Sequence, residues 1–448
     1  MGLALFGTDG VRGVANDTLT VALALDIARG VAGQLPRPAR VLVGRDTRVS
    51  GPMLEAALVA GLTECGVDTV LVGVLPTPAL AHLARAMEAD AAIMISASHN
   101  PPQYNGIKVI DGSGRKWEPE QEAAVERAIQ RQAWPRPQVE RVGSVLHFEE
   151  TAVGLYRRHL VSIFNGRLPN WPVVLDVGHG AAAFTAPPIF QQLGIPARVL
   201  NAEPLGELIN VESGATHPDV VREAVLRHQA RLGFAFDGDA DRVIAVDHTG
   251  HVIDGDEILY LLARDLKERG QLVDDVVVAT VMSNLGLERA LGRVGVQLRR
   301  TPVGDRWVAK VMRDTGAQLG GEQSGHIILK EWTETGDGVL TALAILDVLA
   351  RRPHALEETK AAVERFPQIL VNVPLPQRVD EWRDVPGLGS LVASAEEALG
   401  DEGRVLIRPS GTEPLLRIML EGRDVTLIQE WAHRLETGVR LALESAEV

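Results

Sequence analysis

Arg40-Val41-Leu42-Val43-Gly44, then Gly51–Cys65, then Thr69–Val74, then Pro76–Ala86, then Ala91–Ser96: this stretch decides the fold. The first run is short, apolar and β-branched, which predicts a buried strand. In Gly51–Cys65 the apolar residues Met53, Leu54, Ala57 and Leu58 fall on one helical face. Thr69–Val74 reads as a second strand, Pro76–Ala86 as a helix with proline near its first turn, and Ala91–Ser96 as a third strand. Strands alternating with helices are the mark of a parallel sheet covered by helices on its faces.

The rhythm restarts twice. Pro172-Val173-Val174-Leu175-Asp176-Val177-Gly178 begins a second block that ends in Gly233-Phe234-Ala235-Phe236-Asp237. Asp275–Val281 begins a third, followed by a helix around Gly286–Gly295. Arg131–Val142, rich in Pro, Gln and Arg, is expected to be a connecting segment. Beyond Arg351-Arg352-Pro353 the pattern changes: Gln368–Val373, Arg404–Arg408 and Leu416–Leu420 read as strands, and Ser390–Leu399 and Thr426–Ser445 as helices. Ser390 is the candidate N-cap of the first of these. The chain of 448 residues is long enough for two to four domains. The expected division is three α/β blocks, 1–150, 151–250 and 251–365, and a smaller α+β block, 366–448.

Composition excludes several classes. Apolar residues make up 46% and charged residues 23%, which is ordinary for a globular chain, and with aromatics at 4% the cores must be aliphatic. Lys and Arg total 45 against 59 Asp and Glu, a net charge of −14. Such an acidic chain is a poor general nucleic-acid binder, though it leaves room for a local basic pocket holding a small phosphorylated ligand. Cys65 is the only cysteine, so neither an intrachain disulfide nor a cysteine-cluster zinc site can form, and it is expected to be buried near a helix end. No signal-peptide pattern, acylation motif or apolar window long enough for a membrane helix is present, so a cytoplasmic protein is expected.

Five polar loops carry the chemistry. Phe6-Gly7-Thr8-Asp9-Gly10-Val11-Arg12-Gly13 offers glycines that let amides approach an anion, and Arg12 as a fixed cation; alone, this stretch reads more readily as a plain turn with a solvated arginine. Ile95-Ser96-Ala97-Ser98-His99-Asn100-Pro101 follows a strand, where α/β folds present reactive groups, and Lys108 follows ten residues after Ser98. Neighbouring residues rarely point the same way, and no Gly-x-Ser-x-Gly surrounds Ser98, so a hydrolase dyad with His99 is not implied. Asp237-Gly238-Asp239-Ala240-Asp241-Arg242 is the strongest signal. Three carboxylates at alternate positions after a buried strand repel unless a cation lies among them, and hard oxygen ligands with open positions favour Mg²⁺. Gly320-Gly321-Glu322-Gln323-Ser324-Gly325-His326 suits a polyhydroxylated ligand, with His326 catalytic or structural. Arg408-Pro409-Ser410-Gly411-Thr412-Glu413-Pro414, with Arg417 behind it, has the groups of a phosphate clamp, or is a turn between strands. Together the loops call for phosphoryl movement on a sugar without a nucleotide site.

These motifs resemble the α-D-phosphohexomutases, and within them the glucosamine branch: FGTDGVRG at 6–13, GRDTRVSG at 44–51, ISASHNP at 95–101, DGDADR at 237–242, GEQSGH at 321–326 and RPSGTEP at 408–414. The resemblance runs through nearly the whole chain. It implies three similar α/β domains with mixed, largely parallel sheets and a smaller C-terminal α+β domain around a central cleft, each giving one loop. By that likeness Ser98 is the phosphoserine, and Asp237, Asp239 and Asp241 hold one Mg²⁺ together with it. Arg12, Lys108 and Arg242 surround the transferring group, Lys108 as a proton shuttle, with His326 near the reacting oxygen. Glu322 and Ser324 grip sugar hydroxyls, and Arg408, Ser410, Gly411, Thr412 and Arg417 bind the other phosphate. The implied reaction interconverts glucosamine 6-phosphate and glucosamine 1-phosphate through a 1,6-bisphosphate, with a homodimer expected by likeness alone. The rivals are a glucose- or mannose-phosphate mutase of the same family, a silent sugar-phosphate binder and a phosphatase. Tyr104 and Val177-Gly178-His179-Gly180 depart from the family pattern.

Overall fold

The structure is a computed structural model describing residues 5–376, 379, 381–385, 387–409 and 414–446. Its contacts divide the chain into two compact units, Met1–Met282 with Gly295–Lys360, and Ser283–Val294 with Ala361–Val448.

The first unit holds three sheets. Sheet one runs β1 (Val11–Val14), β5 (Tyr104–Asp111), β4 (Ala91–Ile95), β2 (Arg40–Arg45), β3 (Asp68–Val74) and β6 (Val145–His147). Its β4-β2-β3-β6 portion is parallel, whereas β5 and β1 are antiparallel additions. Sheet two is β11 (Val252–Ile253), β10 (Val243–Asp247), β9 (Leu232–Phe236), β7 (Val173–Asp176) and β8 (Ala197–Leu200), parallel across β9-β7-β8 and antiparallel beyond β9. Sheet three is β13 (Gln297–Thr301), β12 (Val276–Thr280), β14 (Leu319–Gly321) and β15 (Ile327–Leu329), with β15 its antiparallel member.

One device therefore recurs. A fully buried strand of the parallel set, β4, β9 or β14, turns back through a polar loop into an antiparallel partner, β5, β10 or β15. Those loops are the serine, aspartate and glutamate–histidine motifs. Burial on both faces explains why the strands read as unbroken apolar runs.

The helices also follow the sequence pattern. Gly51–Glu64 buries Leu54, Ala57 and Leu58, and Cys65 closes it, itself buried. Helices Thr77–Ala86 and Glu149–Phe164 meet through His82 and His159, whose rings stack 4.0 Å apart. Burial, then His159 and Arg85, push His82 down to about 4. Below its ordinary value near 6.5 the unfolded chain takes up a proton that the folded one refuses. Stability is thus expected to fall as pH drops from about 6.5 towards 4, by at most ~1.4 kcal/mol per pH unit from this group. Denaturant titrations across that range would check it; an unchanged slope in a His82→Leu variant would refute the assignment.

In the second unit, sheet four orders β16 (Gln368–Pro374), β18 (Leu415–Gly422) and β17 (Gly403–Pro409), all antiparallel. Helices Leu388–Leu399 and Val425–Ala446 cover it, burying Val392, Ala395, Ile428 and Leu435 against Leu416, Ile418 and Leu420. Helix Leu285–Arg293 joins this unit although its flanking strands lie in sheet three. Its first amide donates to the buried Glu421, which also accepts from Arg404 and Gln368. The N-cap expectation for Ser390 is corrected: Gly387, at φ 76°, opens the helix, and Ser390 lies inside it with its hydroxyl donating to the Gly387 carbonyl. The positive φ suits glycine, so the chain turns into the helix three residues early. Among the described residues no helix is long and apolar enough to cross a membrane.

Candidate functional site

Ser98 sits at φ 50°, is 1% exposed, and donates from Oγ to Asp237 Oδ2 at 2.6 Å. A serine in the left-handed region is strained, so its surroundings must impose the conformation. They do so from beneath. The Arg48 guanidinium, buried, donates to the carbonyls of Ser98, Asn100, Pro101 and Tyr104 at 2.6–2.9 Å. Asp46 anchors Arg48 at 3.0 Å and accepts from Ser96 Oγ, which accepts the Ser98 amide. Asn210 adds a donor to the Ser98 carbonyl at 2.8 Å. Gly238 approaches that carbonyl so closely that a Cβ there would lie 2.7 Å from it. His99 Nδ1 lies 3.4 Å from Ser98 Oγ, a long contact, and burial followed by Arg242 and Arg12 lowers this histidine to about 4.

The turn from β9 to β10 brings three buried carboxylates together, with one oxygen of each of Asp237, Asp239 and Asp241 lying within 4.8 Å of the others. Burial, then Asp241 and Asp239, push the Asp237 carboxyl well above its ordinary range. Burial acts the same way on Asp239, but Lys108 Nζ at 2.9 Å and the Thr77 hydroxyl at 2.5 Å outweigh it and hold that carboxyl low. Asp239 Oδ1 and Asp241 Oδ1 are buried with no hydrogen-bond partner. Buried unpaired carboxylate oxygens are costly, and a hard cation is what such a donor set suits. The residues therefore fit a divalent metal ion. The unusual segment 177–180 packs on this turn: a Cβ at Gly180 would lie 2.5 Å from the Gly238 carbonyl, and the Ala181 amide that follows donates to that carbonyl. Thr47 donates to the His179 carbonyl from the loop after β2.

Strand β1 pairs with β5, placing Arg12 opposite Gly106 and the loop before it beside Lys108. Arg12 donates to Asn100 Oδ1 at 2.9 Å and pairs with Asp9. Lys108 is 1% exposed and contacts Asp239 at 2.9 Å and Asp9 at 3.1 Å. Burial alone would lower it, yet Asp239, Asp9 and Asp241 raise it well above its ordinary value, so it keeps its proton here. Arg242 is likewise raised, by Asp241 and Asp237 against burial. The turn from β14 to β15 docks on the aspartate turn: the Val243 amide donates to Gly325. Glu322 accepts the Gly304 amide at 3.2 Å, and Ser324 is exposed at the tip. His326 is 2% exposed; its Nε2 accepts the Gly336 amide at 3.2 Å, and Nδ1 is unpartnered. A side chain at Gly336 would strike this ring.

The first unit thus gathers Arg12, Ser98, Lys108, Asp237, Asp239, Asp241, Arg242, Glu322 and His326. Sequence reasoning quoted GRDTRVSG yet gave Asp46 and Arg48 no role. It also passed over Asp9, Lys116 and Asp305, which form one network: Lys116 pairs with both aspartates, and Asp305 lies 3.4 Å from His326. Charged residues directly after a buried strand, as in Gly44-Arg45-Asp46-Thr47-Arg48, were the signal for the first pair. In the second unit, Arg408 and Arg417 stand directly opposite each other across β17 and β18. Burial and Arg417 lower Arg408, and Arg417 Nε is buried without a partner. Facing like charges are destabilising, so the pair suits an anion. Ser410, Gly411 and Thr412 lie outside the described residues.

Four family models match in order: phosphoglucomutase/phosphomannomutase alpha/beta/alpha domain I over residues 3–136, domain II over 156–250, domain III over 254–366 and the C-terminal domain over 370–437. The phosphoglucosamine mutase of Mycolicibacterium smegmatis is 46% identical, covering 98% of this chain and 99% of the relative. That of Saccharopolyspora erythraea is 48% identical over 96% and 98%. Among solved structures, a phosphoglucomutase/phosphomannomutase family protein from Burkholderia thailandensis superposes with a TM-score of 0.83 at 27% identity, covering 100% of this chain and 98% of that one. The mixed sheets with antiparallel edges, the order of the four matches and these identities lead to one conclusion: the chain belongs to the phosphoglucomutase/phosphomannomutase family.

Proposed function

We propose that the chain is an isomerase interconverting glucosamine 6-phosphate and glucosamine 1-phosphate, with Ser98 carrying the phosphoryl group. The observation that carries the reaction class is Ser98 Oγ hydrogen-bonded into a three-carboxylate cluster, with Lys108 bonded to the same cluster and Arg242 following it in the turn. The amino sugar is supported by the relatives, phosphoglucosamine mutases at 46–48% identity. In the first half-reaction a sugar hydroxyl gives up its proton and attacks the phosphorus carried by Ser98, and the bond to the seryl oxygen breaks. The bisphosphate then turns over, and in the second half-reaction the seryl oxygen attacks its other phosphorus while the bond to the sugar oxygen breaks and that oxygen takes up a proton. Arg12, Lys108 and Arg242 supply positive charge to the phosphoryl in flight, which is most of what such a transfer needs. Glu322 and Ser324 hold sugar hydroxyls with His326 beside the reacting oxygen. Arg408 and Arg417, with Ser410, Gly411 and Thr412, bind the phosphate at rest. We assign one Mg²⁺ to Asp237, Asp239, Asp241 and the serine; when bound it would supply charge neutralisation to the phosphoryl group. Four domains bounded near residues 150, 250 and 365, a homodimer and a cytoplasmic location complete the reading.

Chelating divalent ions is expected to reduce turnover to background, and Mg²⁺ to restore it. Mg²⁺ should also stabilise the folded protein, by about 2.7 kcal/mol at a hundred times its Kd, read as a rise in melting temperature. Unchanged turnover and melting temperature in EDTA would count against the metal assignment.

Kinetics of the phosphorylated protein on glucosamine 6-phosphate, glucose 1-phosphate and mannose 1-phosphate test the substrate. A kcat/KM at least ~100-fold higher for the amino sugar, about 2.7 kcal/mol of discrimination, is expected. Equal or reversed preference would leave the mutase chemistry and remove the amino-sugar assignment.

A further inference from the structure

Six carboxylates surround the serine and the glutamate–histidine turn, and their commitments differ. Asp237, Asp239 and Asp241 form the metal cluster. Asp9 is enclosed by Arg12, Lys108 and Lys116. Glu322 gives one oxygen to the Gly304 amide. Farther out, Glu334 is taken in a two-point pairing by Arg115, and Glu122 in another by Arg306. Asp305 remains. It begins helix Asp305–Thr315, one residue after the glycine that binds Glu322. Its Oδ2 meets Lys116 at 2.5 Å and faces His326 Nε2 at 3.4 Å, while no described group donates to Oδ1. The side chain is 13% exposed, in contrast to the buried His326 beside it. Lys116 is shared with Asp9, so it does not neutralise Asp305 by itself.

We propose that Asp305 is the specificity-determining residue for the amino sugar, its free oxygen receiving the 2-ammonium group while Lys116 fixes the carboxylate through the other oxygen. This rests on the amino-sugar reading above. The chemistry separates the two substrate classes: an ammonium group gains a charge-assisted hydrogen bond from a carboxylate, whereas a hydroxyl at the same carbon gains only a neutral one. Burial would raise the Asp305 carboxyl, but the Lys116 ammonium on its Oδ2 outweighs it and holds the group below its ordinary range, the charged form that an ammonium group would meet.

The test is Asp305→Asn, with Asp305→Glu beside it, assayed on glucosamine 6-phosphate and glucose 6-phosphate with melting temperature and Ser98 phosphorylation measured for each protein. Asparagine keeps the shape and removes the charge. The expected result is a loss of roughly 10- to 100-fold in kcat/KM for the amino sugar, with the glucose phosphate changed less than about threefold. The glutamate variant should keep part of the amino-sugar preference. Equal losses on both sugars, in folded and phosphorylated protein, would overturn the proposal and make Asp305 a positioning residue for His326. Should Asp305→Asn fail to fold, the proposal falls if Asp305→Glu loses activity on both sugars alike. A wild-type protein without amino-sugar preference would instead fail the functional reading, which the same assay shows separately.

Discussion

Ser98→Ala is expected to lower turnover by at least roughly 10⁴-fold, the scale on which removing an enzyme's nucleophile acts. The fold should survive, because the loop is held by its backbone: the Arg48 and Asn210 donors bind the Ser98 carbonyl, and Ser96 Oγ binds its amide. The Oγ bond to Asp237 is lost, together with the long contact to His99 Nδ1. That removal leaves Asp237 Oδ2 without its donor while Oδ1 keeps the Arg242 amide, a local change of about 1–3 kcal/mol that a metal ion among the aspartates would soften. Two readings separate the phosphoserine from a merely structural serine. Incubation with glucosamine 1,6-bisphosphate should add one phosphoryl group to the wild-type chain by mass and none to the variant. Sugar phosphate should still bind, since Glu322, Arg408 and Arg417, the groups proposed to hold it, are untouched. A variant retaining more than about a tenth of wild-type turnover would remove Ser98 from the reaction.

How much was legible in the sequence depends on how local each signal was. Buried parallel strands such as β2, β4, β9 and β12 announced themselves because both faces are apolar, and Cys65 and the Gly51–Glu64 face followed from helical spacing. The aspartate turn was legible because three carboxylates directly after Phe234-Ala235-Phe236 repel one another unless a cation lies among them. What escaped was tertiary. Strand β6 is exposed throughout and pairs only at a sheet edge, so no hydrophobic pattern marked it. Helix Leu285–Arg293 looked like part of its own block; its attachment to the C-terminal unit depends on the buried Glu421, 136 residues away. Ser390 looked like a cap because serine at a helix start is a good prior, and the glycine three residues earlier won on backbone conformation. Lys116 and Asp305 belong to no glycine-rich motif, and only the pairing of both with the loops of Asp9 and His326 gives them meaning. The resemblance named residues that the first unit brings together but not the frame beneath them, because a frame made of carbonyl contacts leaves little trace in residue type.

That frame makes the second large prediction. Arg48→Met is expected to destabilise the first unit by about 3–5 kcal/mol, the cost of breaking a buried ion pair from one side. Methionine fills similar space but donates nothing. The carbonyls of Pro101 and Tyr104 then lose their guanidinium donor, and those of Ser98 and Asn100 keep only Asn210. Asp46, whose carboxyl burial already pushes upward against the pull of Arg48, loses its counter-charge and is driven further towards the neutral acid. A protonated Asp46 is a poorer acceptor for Ser96 Oγ, and Ser96 is what holds the Ser98 amide. Strain at Ser98, of order 1–3 kcal/mol for a residue kept at positive φ, would then relax by moving the hydroxyl away from Asp237. Stability and chemistry are therefore expected to fall together: a lower denaturation midpoint, and a kcat reduced at least ~100-fold with KM for sugar phosphate little changed, because the sugar-binding groups lie on other loops. Arg48→Lys restores the charge but offers three donors from a point in place of a planar five-donor fork, so it should recover part of the stability and less of the rate. Urea titration beside steady-state kinetics on the three proteins decides the matter. A methionine variant within about 1 kcal/mol of wild type and with unaltered kcat would mean that the serine loop holds its geometry by itself.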